Sequence, residues 1–439
     1  MSSASTSGAL AYAWEALTRA FSFSSGELRE FQERCLRDLL SHAYRHVPYY
    51  RRIFQQADLD PREIRGLDDL SRIPLTSRTD LQTLPIEELA AQGTKIEKLH
   101  VHRTSGSLGE PMQIRRTWSE DRVLQAFRLR VLRQFGMKLT DKRAMVCSAK
   151  SRSFPLYARL GLLPNFQVHC LWPADRILAR LREIRPDILT GYPGTLSWLA
   201  GLLSDEDQRL IRPRLISTDS EVLTADMRKR IVEGFRAPLV EFYDSHQFNL
   251  IAWECLSGGG YHVADPMVIV EVLRQDGRPA APEEEGELVG TALHSWTVPL
   301  IRFRLGDLVT RGKGACICGA PNSLLTRVQG RIVDRFLLPS GRTIHPYLLV
   351  ERLMACAPWL RRYQIVQTEI SCFRVQVVPL TGTDPSPEAL AEVSRTLAAA
   401  LAEPVDVNVS RVEHIPPAPN GKFRPYYSLL SEVPMADKV

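Results

Sequence analysis

Apolar residues near the start of the chain recur at spacings of three and four, which is the period of an amphipathic helix. Between residues 9 and 57 they form one stripe, made of Leu28, Phe31, Cys35, Leu36, Leu39, Leu40 and Ala43. Proline interrupts the pattern at Pro48. The pattern therefore predicts helical structure over residues 9–57 that packs through this stripe and is broken at Pro48-Tyr49-Tyr50. The prolines of residues 58–84 predict a linking region, with one short capped helix at 77–81.

Two extended runs, residues 98–103 and 112–117, flank a segment of small hydroxyl residues and glycines at 104–111. This arrangement predicts a hairpin, followed by a helix at 119–135. Glycine backbone and hydroxyl donors in such a loop can hold an anion such as phosphate. The loop lacks the Gly-Lys-Ser/Thr ending of a Walker loop, and an ordinary polar turn is an equal alternative.

Strand-like and helical patterns alternate through the middle of the chain. Strand-like runs lie at 144–147, 188–190, 215–217 and 239–243, and helical runs at 174–184, 195–203 and 225–235. This alternation predicts a parallel, helix-covered sheet whose ligand lies beyond the carboxyl ends of the strands.

Beyond residue 252 the pattern changes to short strands and turns, at 267–273, 286–293 and 301–304. These predict a separate, smaller antiparallel or barrel-like sheet. The last part of the chain has strands at 363–368, 373–379 and 405–412, and a helix that begins at Ser386-Pro387. We therefore expect an α/β protein with a large N-terminal domain of helix-covered sheets, residues 1–329. A smaller, mobile α+β domain, residues 330–439, would follow a hinge near 330–335.

Composition narrows the class of protein. The chain has 439 residues, 44% of them apolar, which is enough for more than one core. No stretch approaches the roughly 20 apolar residues of a membrane span, and the N-terminus lacks a signal pattern, so a cytoplasmic protein is expected. The net charge of +6 comes from dispersed arginines such as Arg128, Arg130 and Arg133, interleaved with acids. Such dispersed charge is typical of a solvated face and not of a nucleic-acid-binding surface, and a small polyanionic substrate would suit it equally well.

Four metal-ligating side chains stand apart from the remaining cysteines, which have the isolated apolar settings of buried free thiols. They are Cys255, His262, Cys316 and Cys318, and three thiols with one imidazole make a typical closed tetrahedral zinc site. The alternative is three free thiols and a solvent-exposed histidine.

Seven short segments occur in an order that resembles the adenylate-forming enzymes, most closely their phenylacetate-CoA ligase-like branch. They are residues 104–111, 191–193, 217–221, 243–247, 302–307, 330–334 and 420–422. The segments at 46–50 and 73–77 also look like that branch.

The resemblance implies how ATP is held. The loop residues Thr104, Ser105, Gly106, Ser107 and Gly109 would cradle the β- and γ-phosphates. The residues Ser220, Glu221, Tyr243, Asp244 and Ser245 would also line the nucleotide site. Asp307 would accept both ribose hydroxyls, and Arg331 would hold ribose or phosphate oxygens. Lys422 would bridge the carboxylate and the α-phosphate in the transition state. A surface ion pair is the alternative for Arg331, and a solvent-facing side chain is the alternative for Lys422.

Three positions depart from the family pattern. Gln247 stands where members have a glutamate that helps to hold Mg²⁺, Asp244 where glycine is usual, and Met112 where many relatives carry lysine. A glutamine carbonyl ligates magnesium more weakly than a carboxylate does, so Asp244 or Glu221 is a candidate to take part.

By resemblance, the chain adenylates a carboxylic acid with ATP and Mg²⁺, releases pyrophosphate and passes the acyl group to a thiol, most readily coenzyme A. The alternatives are transfer to a carrier-protein phosphopantetheine or to an amine, and a nucleotide-binding protein without turnover. Pocket candidates, besides Ala149 and Lys150, are Tyr192, Pro193, His246 and Phe248, whose aromatic character favours an aryl or planar acid. Core packing is the alternative for Tyr192 and Phe248. A monomer or homodimer is expected.

Overall fold

The structure is a computed structural model that describes residues 3–103, 112–148, 161–331, 336–344, 346–380, 382–418 and 421–430. The glycine loop at 104–111, Ala149 and Lys150 therefore lie outside the described residues. The chain divides into two compact units, Met1–Gln329 and Gly330–Val439.

Three helices open the first unit: Ser3–Arg19, Ser25–His46 and Pro48–Gln56. All seven residues of the predicted apolar stripe are buried. The predicted helical structure with a break at Pro48 is confirmed: the second helix ends at His46 and the third begins at Pro48, because proline is tolerated at the first position of a helix. The start of the second helix at residue 25 is marked in the sequence by Ser24 and Glu27, which form a capping box.

The linking region is mostly short helical turns. The 3₁₀ helices Pro61–Glu63 and Leu67–Arg72 come first, the α-helices Arg78–Thr83 and Ile86–Leu89 follow, and the 3₁₀ helix Ile96–Lys98 comes last. Ser77 caps the first of these α-helices by accepting the N–H of Asp80 at 3.2 Å. The predicted capped helix is confirmed.

A two-stranded hairpin follows, made of β1 (His100–Arg103) and β2 (Gln113–Arg116). The strands are antiparallel, with His100 opposite Arg116 and Arg103 opposite Gln113. The helix Trp118–Gln134 comes next, capped by Thr117. Its apolar face buries Phe127 and Val131, as the sequence pattern predicts.

One 11-stranded sheet dominates the first unit. Its strands are β3 (Arg143–Cys147), β4 (Asn165–His169), β5 (Ile188–Gly191), β6 (Leu215–Thr218), β7 (Leu239–Ser245), β8 (Asn249–Glu254), β9 (Tyr261–Val263), β10 (Val268–Leu273), β11 (Glu285–Ala292), β12 (Phe303–Arg311) and β13 (Leu324–Arg331). The strand order is β10-β11-β12-β13-β9-β8-β7-β6-β5-β3-β4.

The half of this sheet from β4 to β7 is parallel, as the alternating pattern predicts. Among the described residues its helices are Ala174–Ile184, Pro193–Ala200, Asp205–Leu210 and Ala225–Phe235. The other half contains antiparallel strands, but the prediction that these form a separate sheet is wrong. Strand β7 pairs with β6 in parallel and with β8 in antiparallel, so it joins the two halves.

The second unit is a two-layer α+β structure, as the sequence predicts. A four-stranded sheet has the order β18-β17-β16-β19, with β16 (Leu360–Glu369), β17 (Cys372–Pro379), β18 (Asp406–Arg411) and β19 (Tyr426–Ser428). The short pair β14 (Phe336–Leu337) and β15 (Thr343–Ile344) and the helices Tyr347–Cys356 and Pro387–Leu401 complete it. The second helix is capped by Ser386 and buries Val393, Leu397 and Leu401.

Each unit has its own hydrophobic core. In the first unit, one cluster joins the N-terminal helices to the antiparallel strands through residues such as Phe31, Tyr50 and Phe303, and a second lies under the parallel strands. The second unit has a third cluster. Across the ranges described above, no helix is both long and apolar enough to cross a membrane.

Candidate nucleotide and acyl site

Tyr243 and Asp307 come together although they lie on distant strands. The Tyr243 hydroxyl donates to Asp307 Oδ2 at 2.7 Å, and the tyrosine is 8% exposed. Strands β7 and β12 are separated by four strand spacings, roughly 19 Å in a flat sheet. The sheet therefore curls until two residues predicted for the nucleotide site meet.

Arg128 joins two segments of the site. Its Nη1 donates to Asp244 Oδ2 at 2.8 Å, and its Nη2 donates to Asp219. Its guanidinium also lies 5.1 Å from the centre of the Phe242 ring. Asp244, which stands where the family has glycine, is thus bound to an arginine on the neighbouring helix.

This environment corrects the expectation that Arg128 belongs to a solvated face, because its side chain is only 15% exposed. Burial acts to lower the pKa of Arg128, but Asp219 and Asp244 outweigh it and raise the pKa above its usual value. The sequence alone does not reveal this role of Arg128. A lone arginine on an amphipathic helix has the same local pattern whether water or two carboxylates face it.

Glu221 lies at the start of the helix Pro193–Ala200. Its Oε2 accepts the N–H of Gly194 at 2.8 Å, a favourable place for a carboxylate because helix N–H groups point outward there. The preceding Ser220 adopts φ 68°, in the left-handed region. The predicted nucleotide residues at 220 and 221 are thereby brought next to the predicted pocket residue Pro193.

Tyr192 is 6% exposed and belongs to the core under the parallel strands. Its hydroxyl lies 3.1 Å from Ser148 Oγ. Burial raises the pKa of Tyr192 to about 12, so the phenol stays neutral. Tyr192 therefore has the core packing that was the alternative to a pocket position. Its hydroxyl nevertheless contacts a polar partner, Ser148.

The turn between β7 and β8 carries three predicted residues with different exposures. His246 is exposed, Gln247 is 8% exposed and Phe248 is 2% exposed. Ser245 Oγ accepts the N–H of Phe248 at 3.1 Å, which tightens the turn. Phe248 packs against Phe303, with ring centres 6.3 Å apart. It therefore has the core packing that was the alternative to a place in the acid pocket.

Two departures from the family pattern touch each other. Gln247 Nε2 lies 3.7 Å from the Met112 sulfur, and Met112 is buried. A thioether sulfur accepts a hydrogen bond but cannot donate one, so the NH₂ group of Gln247 faces it. The amide oxygen of Gln247 is then directed away from Met112.

Of the site residues predicted in the second unit, the structure describes the side chain of Lys422 and not that of Arg331. Lys422 is half-buried and follows Gly421, which has φ 77°. The carbonyl of Lys422 accepts the N–H of Ala418 at 2.9 Å. Arg331 ends β13, but its side chain lies outside the described residues, as do Thr104, Ser105, Gly106, Ser107 and Gly109.

The four metal-ligating side chains converge in the antiparallel half of the sheet. The ligand atoms of Cys255, His262, Cys316 and Cys318 all lie within 4.8 Å of one another. The sulfurs of Cys255 and Cys316 are 3.6 Å apart, and Cys318 Sγ is 3.3 Å from His262 Nε2. A sulfur separation of 3.6 Å is too long for a disulfide, whose bond is about 2.05 Å.

These distances fit a tetrahedral zinc ion. With zinc–sulfur bonds of about 2.3 Å, two ligand sulfurs lie roughly 3.8 Å apart. A Cβ added to Gly259 would lie 2.3 Å from the Cys316 sulfur, so only glycine fits beside this group. The arrangement brings together all four residues that the sequence predicts for zinc.

Several known proteins resemble this chain in sequence. It is 27% identical over 365 residues to the phenylacetate-coenzyme A ligase of Thermus thermophilus, covering 77% of this chain and 78% of that protein. For the Escherichia coli protein of the same name the identity is 26% over 356 residues, covering 78% and 79%. The chain is a homologue of the phenylacetate-CoA ligases. No protein-family model matches it.

Solved structures show that this ligase homologue has the adenylate-forming fold. A 2-hydroxyisobutyryl-CoA ligase superposes with a TM-score of 0.78 at 20% identity, covering 93% of this chain and 91% of that one. A benzoate CoA ligase from Burkholderia xenovorans gives a TM-score of 0.55 at 16% identity, covering 76% and 69%. The resemblance and the fold class expected from the sequence are confirmed.

Proposed function

We propose that this chain is an ATP-dependent, AMP-forming acid–thiol ligase. A carboxylate oxygen of the acid attacks the α-phosphorus of ATP, and pyrophosphate leaves. A thiol then attacks the acyl carbon of the adenylate, and AMP leaves with the carboxylate oxygen. The meeting of Tyr243 and Asp307 across the curled sheet carries this proposal, because it assembles the residues that would hold the nucleotide.

Under this proposal the residues of the site have separate tasks in nucleotide binding. Asp307 accepts the ribose hydroxyls, and Tyr243 fixes the orientation of its carboxylate. Arg128 holds Asp219 and Asp244 at the edge of the site. The glycine loop binds the β- and γ-phosphates. Arg331 and the mobile second domain bring Lys422 to the α-phosphate, where its charge stabilises the transition state.

The amide oxygen of Gln247 is the side-chain group we propose for Mg²⁺. Asp244 already accepts from Arg128 and Glu221 from Gly194, whereas Gln247 turns its NH₂ group to Met112 and its oxygen the other way. An uncharged oxygen binds Mg²⁺ more weakly than a carboxylate does. We therefore expect a higher magnesium requirement than a glutamate at this position would give.

Coenzyme A is the proposed thiol, because the curated relatives are coenzyme A ligases. The acid is proposed to be aryl or otherwise planar, bound near Tyr192, Pro193 and His246. A carrier-protein phosphopantetheine or an amine remains an alternative acceptor. A nucleotide-binding protein without turnover is favoured by one observation, the neutral Gln247. The cytoplasmic location and a monomeric or dimeric state stay predictions.

Acid-dependent exchange of labelled pyrophosphate into ATP tests the adenylation step. The panel should include phenylacetate, benzoate, 2-hydroxyisobutyrate and short aliphatic acids, and mass analysis of the product identifies the acceptor. We expect exchange with at least one aryl acid and a coenzyme A thioester as product. Tight ATP binding without exchange for any acid would contradict the enzyme proposal.

We also propose that Cys255, His262, Cys316 and Cys318 hold one structural zinc ion. All four positions of a tetrahedral ion would be filled by protein groups, which leaves none for water or substrate. The ion would tie the β8–β9 connection to the loop between β12 and β13. Metal analysis of protein purified without added zinc tests this, with about one zinc ion per chain expected.

A further inference from the structure

Arg116 is a buried cation whose main partners are backbone carbonyls. It lies in β2, is 3% exposed, and donates from Nη2 to the carbonyls of His246 and Gln247, the second at 2.6 Å. The carboxylate oxygen Asp121 Oδ1 lies 3.8 Å from Nη1. Asp121 in turn accepts from His102 Nε2 at 3.0 Å.

A buried guanidinium with mainly backbone acceptors lowers the stability of the fold if its only role is packing. Removing a guanidinium from water costs several kcal/mol, and apolar residues of similar volume often stabilise a fold at least as well. Burial lowers the pKa of Arg116, and Asp121 only partly opposes that effect. The two hydrogen bonds to consecutive carbonyls are the interaction that an apolar side chain could not supply.

These bonds connect two parts of the proposed nucleotide site. Arg116 lies in the strand that leaves the glycine loop, opposite His100 in the strand that enters it. Its acceptors belong to the turn that carries Gln247, and Met112, which precedes the same strand, contacts the Gln247 amide. The hairpin therefore holds both the backbone and the side chain of this turn.

We propose that Arg116 is a positioning residue that sets the turn at 246–247 against the phosphate-loop hairpin, with Asp121 and His102 orienting its guanidinium. This inference rests on the proposed function. Its consequence is that Arg116 determines how the Gln247 amide meets Mg²⁺, without touching metal or nucleotide itself. Loss of Arg116 should therefore change magnesium dependence and turnover, as well as stability.

The test compares Arg116→Met and Arg116→Lys with the wild-type chain in acid-dependent pyrophosphate exchange, titrating Mg²⁺ at fixed ATP. We expect Arg116→Met to raise the half-maximal Mg²⁺ concentration and to lower kcat, each by about tenfold or more. Arg116→Lys should lie between the two, because an ammonium can donate to the carbonyls without the planar fork. Arg214→Met is the matched control, since it removes an arginine paired with Asp141 outside the site.

The outcomes separate this inference from the proposed function. If the wild-type chain shows no exchange, the proposed function fails. If wild-type exchange is present, and the arginine variants melt at lower temperature but keep wild-type kcat and magnesium dependence, Arg116 is merely structural and the inference is overturned. Asp121→Asn keeps the side-chain shape, and its Mg²⁺ dependence is measured in the same way. This variant tests the role of Arg116 if both arginine variants unfold. A smaller rise in the Mg²⁺ requirement is expected for it, and no rise would overturn the inference.

Discussion

Replacement of Tyr243 by phenylalanine removes the hydroxyl that donates to Asp307 Oδ2. The bond is 2.7 Å long, and its acceptor is a carboxylate. Hydrogen bonds to charged groups contribute about 1.5–3 kcal/mol. Because 1.4 kcal/mol corresponds to a factor of ten, the lower limit of this range predicts about a tenfold rise in the KM for ATP. The ring remains, so the core packing of Tyr243 should be kept.

Pyrophosphate exchange at saturating acid, with ATP varied, measures this effect. Tyr261→Phe is the matched control, because its hydroxyl donates to Glu241 at 2.6 Å in the same sheet, and we assign that pair no role in nucleotide binding. The control should lose stability and keep the wild-type KM for ATP. If Tyr243→Phe binds ATP as the wild-type chain does, or if both variants weaken ATP binding equally, the role given to the Tyr243–Asp307 pair is wrong.

Three further predictions concern other parts of the chain. Lys422→Ala should lower the adenylation rate at least 100-fold, as loss of a transition-state donor does. Its melting temperature should not change, and undiminished exchange would refute the assignment. Cys316→Ser combined with Cys318→Ser should bring zinc content well below one ion per chain and lower the melting temperature. Zinc content equal to that of the wild type would contradict the site. Burial raises the pKa of Glu241 to about 7, above its value in the unfolded chain, so its contribution to stability is full below about pH 4.5 and is lost as the pH rises through about 7. Urea unfolding at pH 5.5 and pH 8 should show a smaller difference for Glu241→Gln than for the wild-type chain, although Asp265, whose pKa burial also raises to about 7, adds to the same trend. An unchanged difference would show that Glu241 does not titrate in this range.

The elements and residues that a local pattern specifies could be predicted from the sequence. The apolar stripe from Leu28 to Ala43 is buried, and the four side chains predicted to hold zinc lie together. In both cases the residue types and spacings already contain the information. Tyr243 and Asp307 were found through family motifs, not through any signal that they bond to each other.

The missed features depend on long-range geometry. No local pattern shows that β7 joins a parallel to an antiparallel half of one sheet, because strand pairing depends on residues far apart in the chain. The roles of Arg116 and Arg128 were missed for the same reason. Their partners lie more than 90 positions away along the chain, at Asp219, Asp244, His246 and Gln247.

Transfer of an oxygen isotope tests the central claim most directly. If the acid attacks the α-phosphorus of ATP, its oxygen becomes the bridge of the adenylate and leaves with AMP when the thiol attacks. An acid that supports exchange, labelled with ¹⁸O in its carboxylate, is incubated with the chain, ATP, Mg²⁺ and coenzyme A, and the nucleotide is analysed by mass spectrometry. The account predicts AMP that carries one ¹⁸O atom, together with a coenzyme A thioester. Unlabelled AMP, or ADP with the label in inorganic phosphate, would contradict it.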